Sequence, residues 1–503
     1  MTIGPISELQ AGLGAHAGGP EAPAASAGVA RYGVLLSVGA GFVGVLSYAV
    51  TLIMANALEP ADFSQFAAAQ MMLGMVGIVT SALVPLPLAQ AVTAHPPGSE
   101  ARRDAIAFAV AVSVVVGLAA ALLTGAITAG LGSAPTAAFV ALSAFVLFVG
   151  AAPSGWIQGE LRFVRYTVKS VGEVLIRLVF SLLVVLFAWG APGAVLGFAM
   201  GGLALLVTPR SFLRDITWRP RVLHQRRRWA ETSDIASTLC VVSVLVGIDV
   251  VLVAFLDGGS TAAAGLQALA SIAKAPVYVA AGTVIVVFPL LRRPGAHVTA
   301  ILTDALRSFG RLSLVACAVI ATAPHPLVAL VLPERYHASL ALLPWLAVSG
   351  LGYAALTVLA TVLLALRAYR RCQLGLVAAS GLVLGGLFLG WERGGVEGIA
   401  IGCAVGALAS AAVLTVIALP LLPPSSGRMA ATGFIGAACF ALLLKAAAGQ
   451  PPVWMLIVFV AGLVILAQLR ERGPLEVLRG LGVWRRFRAP HTARHAARPQ
   501  QRS

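Results

Sequence analysis

The sequence is short of charge. Lysine and arginine together supply 35 of 503 residues, and aspartate and glutamate only 19. So few ionisable groups cannot keep a water-soluble chain of this size in solution. Lysine occurs three times, at Lys169, Lys274 and Lys445. The five cysteines, Cys240, Cys317, Cys372, Cys403 and Cys439, have no paired spacing and no histidine cluster beside them. That excludes a disulfide framework and a zinc site, and they read as small core residues. The eight histidines are equally dispersed, so neither a metal nor a cofactor is implied. Enzyme motifs are missing as well: the glycine run GLVLGGLFLG lacks the Lys-Ser/Thr of a phosphate loop, and neither G-x-S-x-G nor H-E-x-x-H occurs. Between the second and third apolar segments stands AHPPGSEARRDA, not a G-x-x-x-D-R loop, which argues against the commonest rival transporter fold.

What the chain has in quantity is apolar surface. Hydrophobic residues make up 59% and the mean hydropathy is +0.93, the composition of a polytopic membrane protein with little left over for a soluble domain. With about 20 residues per crossing, the pattern predicts fourteen helices, at 32–57, 66–92, 105–131, 135–156, 168–189, 191–213, 234–256, 262–291, 309–332, 338–366, 372–390, 395–420, 429–448 and 452–469. Residues 1–30, rich in Ala, Gly and Pro with no basic cluster before an apolar core, read as a disordered cytosolic leader and not a signal peptide.

The net charge of +16 reports loop bias, not nucleic-acid binding. With the N-terminus inside, 30 basic residues fall on inner segments and three, Arg335, Arg393 and Lys445, on outer loops. Arg177 and Lys274 lie within helices. The asymmetry predicts cytoplasmic N- and C-termini. The longest internal break, 214–233, is basic and divides the chain into an N-lobe at 31–213 and a C-lobe at 234–420, each of six helices, with two further helices in 421–469 and a basic tail at 470–503. An all-α, two-lobed transporter joined by a cytosolic linker is the architecture this suggests. Linker and tail also suit anionic lipid headgroups. LEPADFSQFAAAQ after the first helix and LDGGSTAAAGLQALAS after the seventh share an acidic turn followed by a small-residue helix, a sign of internal duplication.

Ionised side chains are costly in hydrocarbon, so those that remain are candidate functional groups. There are four: Glu173, Arg177, Asp249 and Lys274. Glu173 and Arg177 have the i, i+4 spacing of a helical ion pair, acid first. Asp249 lies about 12 Å and Lys274 about 20 Å below the outer ends of their helices, so a direct pair must close about 8 Å of depth. Two readings follow. Lys274 either leans outward to clamp Asp249, or stands level with Arg177 so that two cations, one per lobe, bind an anion such as a phosphate. Pro85, Pro87 and Pro276 are candidate hinges at matching places in the second and eighth helices, while Pro324 and Pro326 would bend the ninth and Pro344 lies near a helix end.

Several stretches resemble the MOP flippase superfamily, and within it the polysaccharide-export and O-antigen flippase branch. They are LEPADFSQFAAAQ (58–70), GWIQGELRF (155–163), the segment from Ile248 to Leu291, and LPERYHASLALLPWLAVSGLGYA (332–354). The resemblance implies two six-helix bundles around a central cavity, alternating access, and movement of a polyprenyl-diphosphate-linked oligosaccharide between leaflets. Asp249 and Lys274 fall where such proteins often carry an acid and a polar or basic residue, and Arg177 matches a frequent basic position. The first helix lacks the arginine-rich stretch of peptidoglycan-precursor flippases, and fourteen helices differ from the twelve of the multidrug antiporters. Two other functions compete: a cation-coupled exporter of small amphiphiles with Asp249 as carrier, and a non-transporting scaffold that docks glycan-assembly enzymes through linker and tail.

Overall fold

A computed structural model describes residues 42–216, 219–224, 226–291 and 298–471. The leader and nearly all of the basic tail lie outside these. The described residues are helical throughout, with no strand among them. Ten helices are long and apolar enough to cross a membrane, and the shorter apolar helices Phe42–Ala57 and Pro451–Ile465 stand at either end. Each predicted segment overlaps a helix. The N-lobe comprises α1 (Phe42–Ala57), α2 (Pro60–Leu83), α3 (Pro85–Ala94), α4 (Glu100–Ala129), α5 (Ala134–Gly159), α6 (Phe163–Phe187) and α7 (Gly190–Met200), the last continued by a 3-10 stretch, Gly201–Val207. The C-lobe comprises α8 (Arg226–Asp257), α9 (Thr261–Ala273), α10 (Ala275–Leu291), α11 (Val298–Ala321), α12 (Leu343–Ala365) and α13 (Tyr369–Ala418), and α14 (Ser426–Ala447) and α15 (Pro451–Glu471) follow.

Local chemistry sets these boundaries. The hydroxyls of Ser99, Ser133 and Ser260 accept from the backbone N–H groups of Arg102, Thr136 and Ala263, capping α4, α5 and α9. The candidate hinge prolines sit at helix starts, where a missing N–H costs nothing. Pro85 opens α3 after a break at Val84 (φ −119°, ψ −66°), Pro87 is two residues further on, and Pro276 is the second residue of α10 after a break at Lys274 (φ −81°, ψ 8°). A glycine from the fourth crossing of each lobe presses on each break. A Cβ on Gly155 would lie 2.7 Å from Pro85 Cα, and one on Gly350 would lie 2.2 Å from the Ala273 carbonyl oxygen. The two lobes therefore repeat one packing device.

Two boundaries differ from expectation. The ninth helix runs over Val298–Ala321, about three turns earlier than 309–332. Its first turns carry Asp304, Arg307 and Arg311, which a hydropathy reading assigns to a loop, and Pro324 and Pro326 lie beyond its end, opening a short helix at His325–Ala329 instead of bending a long one. The basic linker is shorter than 214–233 because α8 already begins at Arg226. Part of it is docked: Val222 and Phe212 join the N-lobe core, Trp229 meets Phe108 edge-on at 5.3 Å and donates its indole N–H to the Leu223 carbonyl at 2.7 Å.

The cores show how the lobes meet. One continuous core runs through both, joining Met54, Phe63 and Phe66 to Leu245, Leu269, Tyr336 and Leu346. Two others stay within one lobe each: Val84, Leu88, Ile106, Trp156 and Phe212 in the N-lobe, and Ala280, Leu291, Leu302, Phe309 and Val358 in the C-lobe. The shared core holds the ends of α1, α2 and α9 that the basic-residue asymmetry places outside, and it continues within the C-lobe along α12 and α13 to Leu364, Cys372 and Ala418. The lobes are thus joined through one core at that mouth.

The limbs of α13, divided by Gly394 and Gly395 (φ 56°, ψ −133°), pack backbone to backbone along Gly386, Gly390, Gly398 and Gly402. A Cβ on Gly398 would lie 1.9 Å from the Gly390 carbonyl oxygen. Gly398→Leu is expected to lower stability by about 3 kcal/mol or more in thermal unfolding in detergent, as overpacking against rigid backbone does. Gly385→Ala, on the first limb with nothing within 4 Å of the new Cβ, should instead stabilise by about 0.5–1 kcal/mol.

Candidate functional site

On α6 the spacing i, i+4 places Lys169, Glu173, Arg177 and Ser181 on one stripe. Val164, Val168, Leu175, Val179, Leu182 and Leu186 form the exposed stripe opposite, suited to lipid. Glu173 lies between two cations, 4.0 Å from Lys169 Nζ through Oε2 and 3.4 Å from Arg177 Nη2 through Oε1. The Arg177 guanidinium lies 4.1 Å above the Phe198 ring on α7, a cation–π contact. Small residues let the helices come this close. A Cβ on Gly201 would sit 3.1 Å from Glu173 Cγ, and one on Gly150 of α5 would sit 3.9 Å from Lys169 Nζ. Arg177 Nε is buried with no hydrogen-bond partner. Side-chain exposure is 9% for Lys169, 13% for Arg177 and 26% for Glu173, so the carboxylate is the open side of the cluster. Among the described residues the two cations thus share one carboxylate within a spanning helix.

The C-lobe groups form a closed unit. Lys274, at the break between α9 and α10, donates from Nζ to Asp249 Oδ1 at 2.7 Å, and both side chains are buried. The other carboxylate oxygen, Oδ2, accepts from the Cys403 thiol at 3.7 Å. Tyr353 Oη lies 3.2 Å from Cys403 Sγ, so with the thiol donating onward the phenol donates to sulfur. The ammonium also lies 6.0 Å from the centre of the Tyr353 ring. Two turns nearer the start of α9, Gln267 is fully buried and donates from Nε2 to the Val250 carbonyl at 3.0 Å. Every charge in this unit has its opposite.

Of the four candidates, Glu173 is therefore beside Arg177 and Asp249 beside Lys274, but no hydrogen bond or ion pair joins the two clusters. A Lys274 ammonium open to a chamber level with Arg177 does not describe this conformation. Its pairing with Asp249 consumes the charge, because an unpaired ammonium at this burial would be prohibitive. Lys169, which the sequence reading did not single out, is the second cation beside Glu173 and Arg177. A pocket of about 510 Å³ at the start of α11, lined by Val298, Thr299, Ala300, Thr303 and Asp304, touches neither cluster. Among the described residues no three His, Cys, Asp or Glu side chains gather as metal ligands.

Comparisons with known proteins agree with this architecture. The family described as "Polysaccharide biosynthesis protein" matches residues 29–293. No curated protein sequence matches the chain. Among solved structures, the lipid II flippase MurJ in an inward closed conformation is 14% identical, with 87% of this chain and 99% of that one covered and a TM-score of 0.65. An inward-facing multidrug resistance MATE transporter of the MOP superfamily is 12% identical, with coverage of 79% and 95% and a TM-score of 0.56. The eukaryotic MATE transporter AtDTX14 is 15% identical, with coverage of 81% and 99% and a TM-score of 0.57. At these identities the likeness is one of fold.

Proposed function

The chain belongs to the polysaccharide biosynthesis protein family, and we propose that it flips a polyprenyl-diphosphate-linked oligosaccharide across the bacterial cytoplasmic membrane by alternating access, with both termini in the cytoplasm. The observation that carries the reading is the α6 cluster, in which Lys169 and Arg177 share a single carboxylate inside a spanning helix. A diphosphate is the ligand such a cluster suits: the guanidinium offers a planar fork of donors and the ammonium a compact point charge. Glu173, the most exposed member, holds the site's charge balance while no phosphate is bound and swings aside for one. Basic loops on the cytoplasmic side would concentrate an anionic headgroup at the entrance. That a relative in fold is a lipid II flippase makes a lipid-linked glycan a fitting cargo class. Free cation carriage by Asp249 is less well supported, because Lys274 already holds that carboxylate.

The experiment is a flipping assay in proteoliposomes with a fluorescent polyprenyl-diphosphate sugar. Lys169→Gln/Arg177→Gln is expected to reduce the rate at least tenfold with the protein still folded, and Glu173→Gln to leave it equal or higher. A double variant that flips at the parental rate removes the anion site and with it this reading.

A further inference from the structure

At the mouth where the two lobes share a core, the Arg335 side chain crosses the seam. Arg335, in the C-lobe's 3-10 stretch Glu334–Leu342, directs Nη2 at the end of α1 in the N-lobe, donating to the carbonyls of Ala55 at 3.0 Å, Asn56 at 3.4 Å and Leu58 at 2.5 Å. These carbonyls stand at the C-terminus of a helix, where backbone oxygens have no partner within it and the helix dipole favours a cation. The contact is reciprocated: Asn56 Nδ2 donates to the Val331 carbonyl at 3.3 Å, just ahead of Arg335 in sequence. Beneath lies an aromatic seal, Phe63 of α2 against Tyr336 with ring centres 6.1 Å apart, both fully buried. The guanidinium covers it, 5.2 Å from the Tyr336 ring.

Among the described residues no acidic side chain forms an ion pair with Arg335, and its Nε is buried without a hydrogen-bond partner. Its hold on α1 thus consists of hydrogen bonds to backbone oxygens, which water can replace one by one when the lobes part. Placement matters too: Arg335 is one of only three basic residues on the side that otherwise lacks them.

We propose that Arg335 is a reversible latch, a side chain that holds the lobes together at this mouth by capping the C-terminus of α1, and that its release is a step in opening that side. The proposal is independent of the cargo. It specifies which contact sets the balance between the two faces of the transporter.

Double electron–electron resonance on the full chain in nanodiscs tests it, with Cys240 and Cys439 replaced by serine. One label pair replaces exposed Ala134 in the N-lobe and Gly259 in the C-lobe at the latched mouth. A second replaces exposed Glu100 and Ala300 at the opposite mouth. The parent is expected to give a predominantly short distance for the first pair. Arg335→Gln should raise the ratio of long to short distances at least tenfold, and the second pair should draw together in the same samples. Arg335→Lys, which keeps a donor cation, should restore most of the short population. Asn56→Ala, an exposed and milder change, should shift the ratio in the same direction by a smaller factor, and it stands in if Arg335→Gln does not fold. Unchanged distances in Asn56→Ala together with unchanged distances in, or misfolding of, Arg335→Gln would overturn the latch.

Discussion

Lys274→Met is expected to lower the stability of the protein by about 3–5 kcal/mol, the cost of leaving one member of a buried ion pair without the other. Asp249 is completely buried, and without the ammonium its carboxylate keeps only the weak donor of Cys403, 3.7 Å away. Asp249→Leu should cost a comparable amount, since it strands the ammonium beneath Tyr353. The double variant Asp249→Leu/Lys274→Met removes both charges and replaces them with apolar groups of similar size. It should therefore return to within about 1 kcal/mol of the parent, because desolvation of a buried pair offsets most of its attraction. Thermal unfolding of the four proteins in detergent gives the coupling energy directly. Single variants as stable as the parent would show that the pair does not exist in the membrane.

The same double variant separates two roles for the C-lobe charges. If the pair only fixes the break between α9 and α10, the stable double variant keeps flipping at a rate near that of the parent. If the cargo draws Lys274 away from Asp249 during transport, the double variant folds but does not flip. The α6 cluster is expected to behave in the opposite manner, with small effects on stability and large ones on transport. On the function proposed above, its half-buried carboxylate and second cation suit a site that exchanges partners, whereas the C-lobe unit balances every charge.

Much of the architecture was legible in the sequence for one physical reason: the bilayer admits helices and little else in a chain of this composition. Hydropathy located the segments, and i, i+4 spacing located the Glu173–Arg177 pair, because both signals are local. The Asp249–Lys274 pair could not be decided in the same way. Counting 1.5 Å per residue assumes a straight helix, and Lys274 stands where α9 ends and the chain changes course. Lys169 was overlooked as a site residue for a related reason. Hydropathy started the helix at 168 and left Lys169 among the basic residues of a loop, but α6 begins at Phe163 and carries it nearly two turns inside. Tyr353 and Cys403 come from distant segments, and their meeting at Asp249 leaves no trace in spacing. Arg335 was counted only as an exception to a charge rule.

Gly155→Leu and Gly350→Leu are each expected to destabilise by about 3 kcal/mol or more, for the same reason in two different lobes. Both glycines lie in stretches that carry the family resemblance, GWIQGELRF and LAVSGLGYA, and neither has a positive φ, so conformational freedom does not account for them. Close approach does. Gly155 admits the backbone of Pro85, and Gly350 admits the backbone of Ala273 and Lys274, at the breaks in the second and eighth crossings. Backbone cannot yield as a side chain can, so a leucine must separate the helices. Gly77→Ala in α2 and Gly282→Ala in α10, where a new Cβ meets nothing within 4 Å, should be neutral or mildly stabilising. The two sites must also differ in one respect. A Cβ on Gly350 would lie 3.4 Å from Lys274 Cα, so Gly350→Ala should couple to Lys274→Met by about 0.5–3 kcal/mol in a double-mutant cycle. Gly155→Ala, whose break at Val84 carries no charge, should combine additively with it. Equal coupling at both sites would mean that the ion pair does not belong to the C-lobe break, and that the repeated device does more than pack helices.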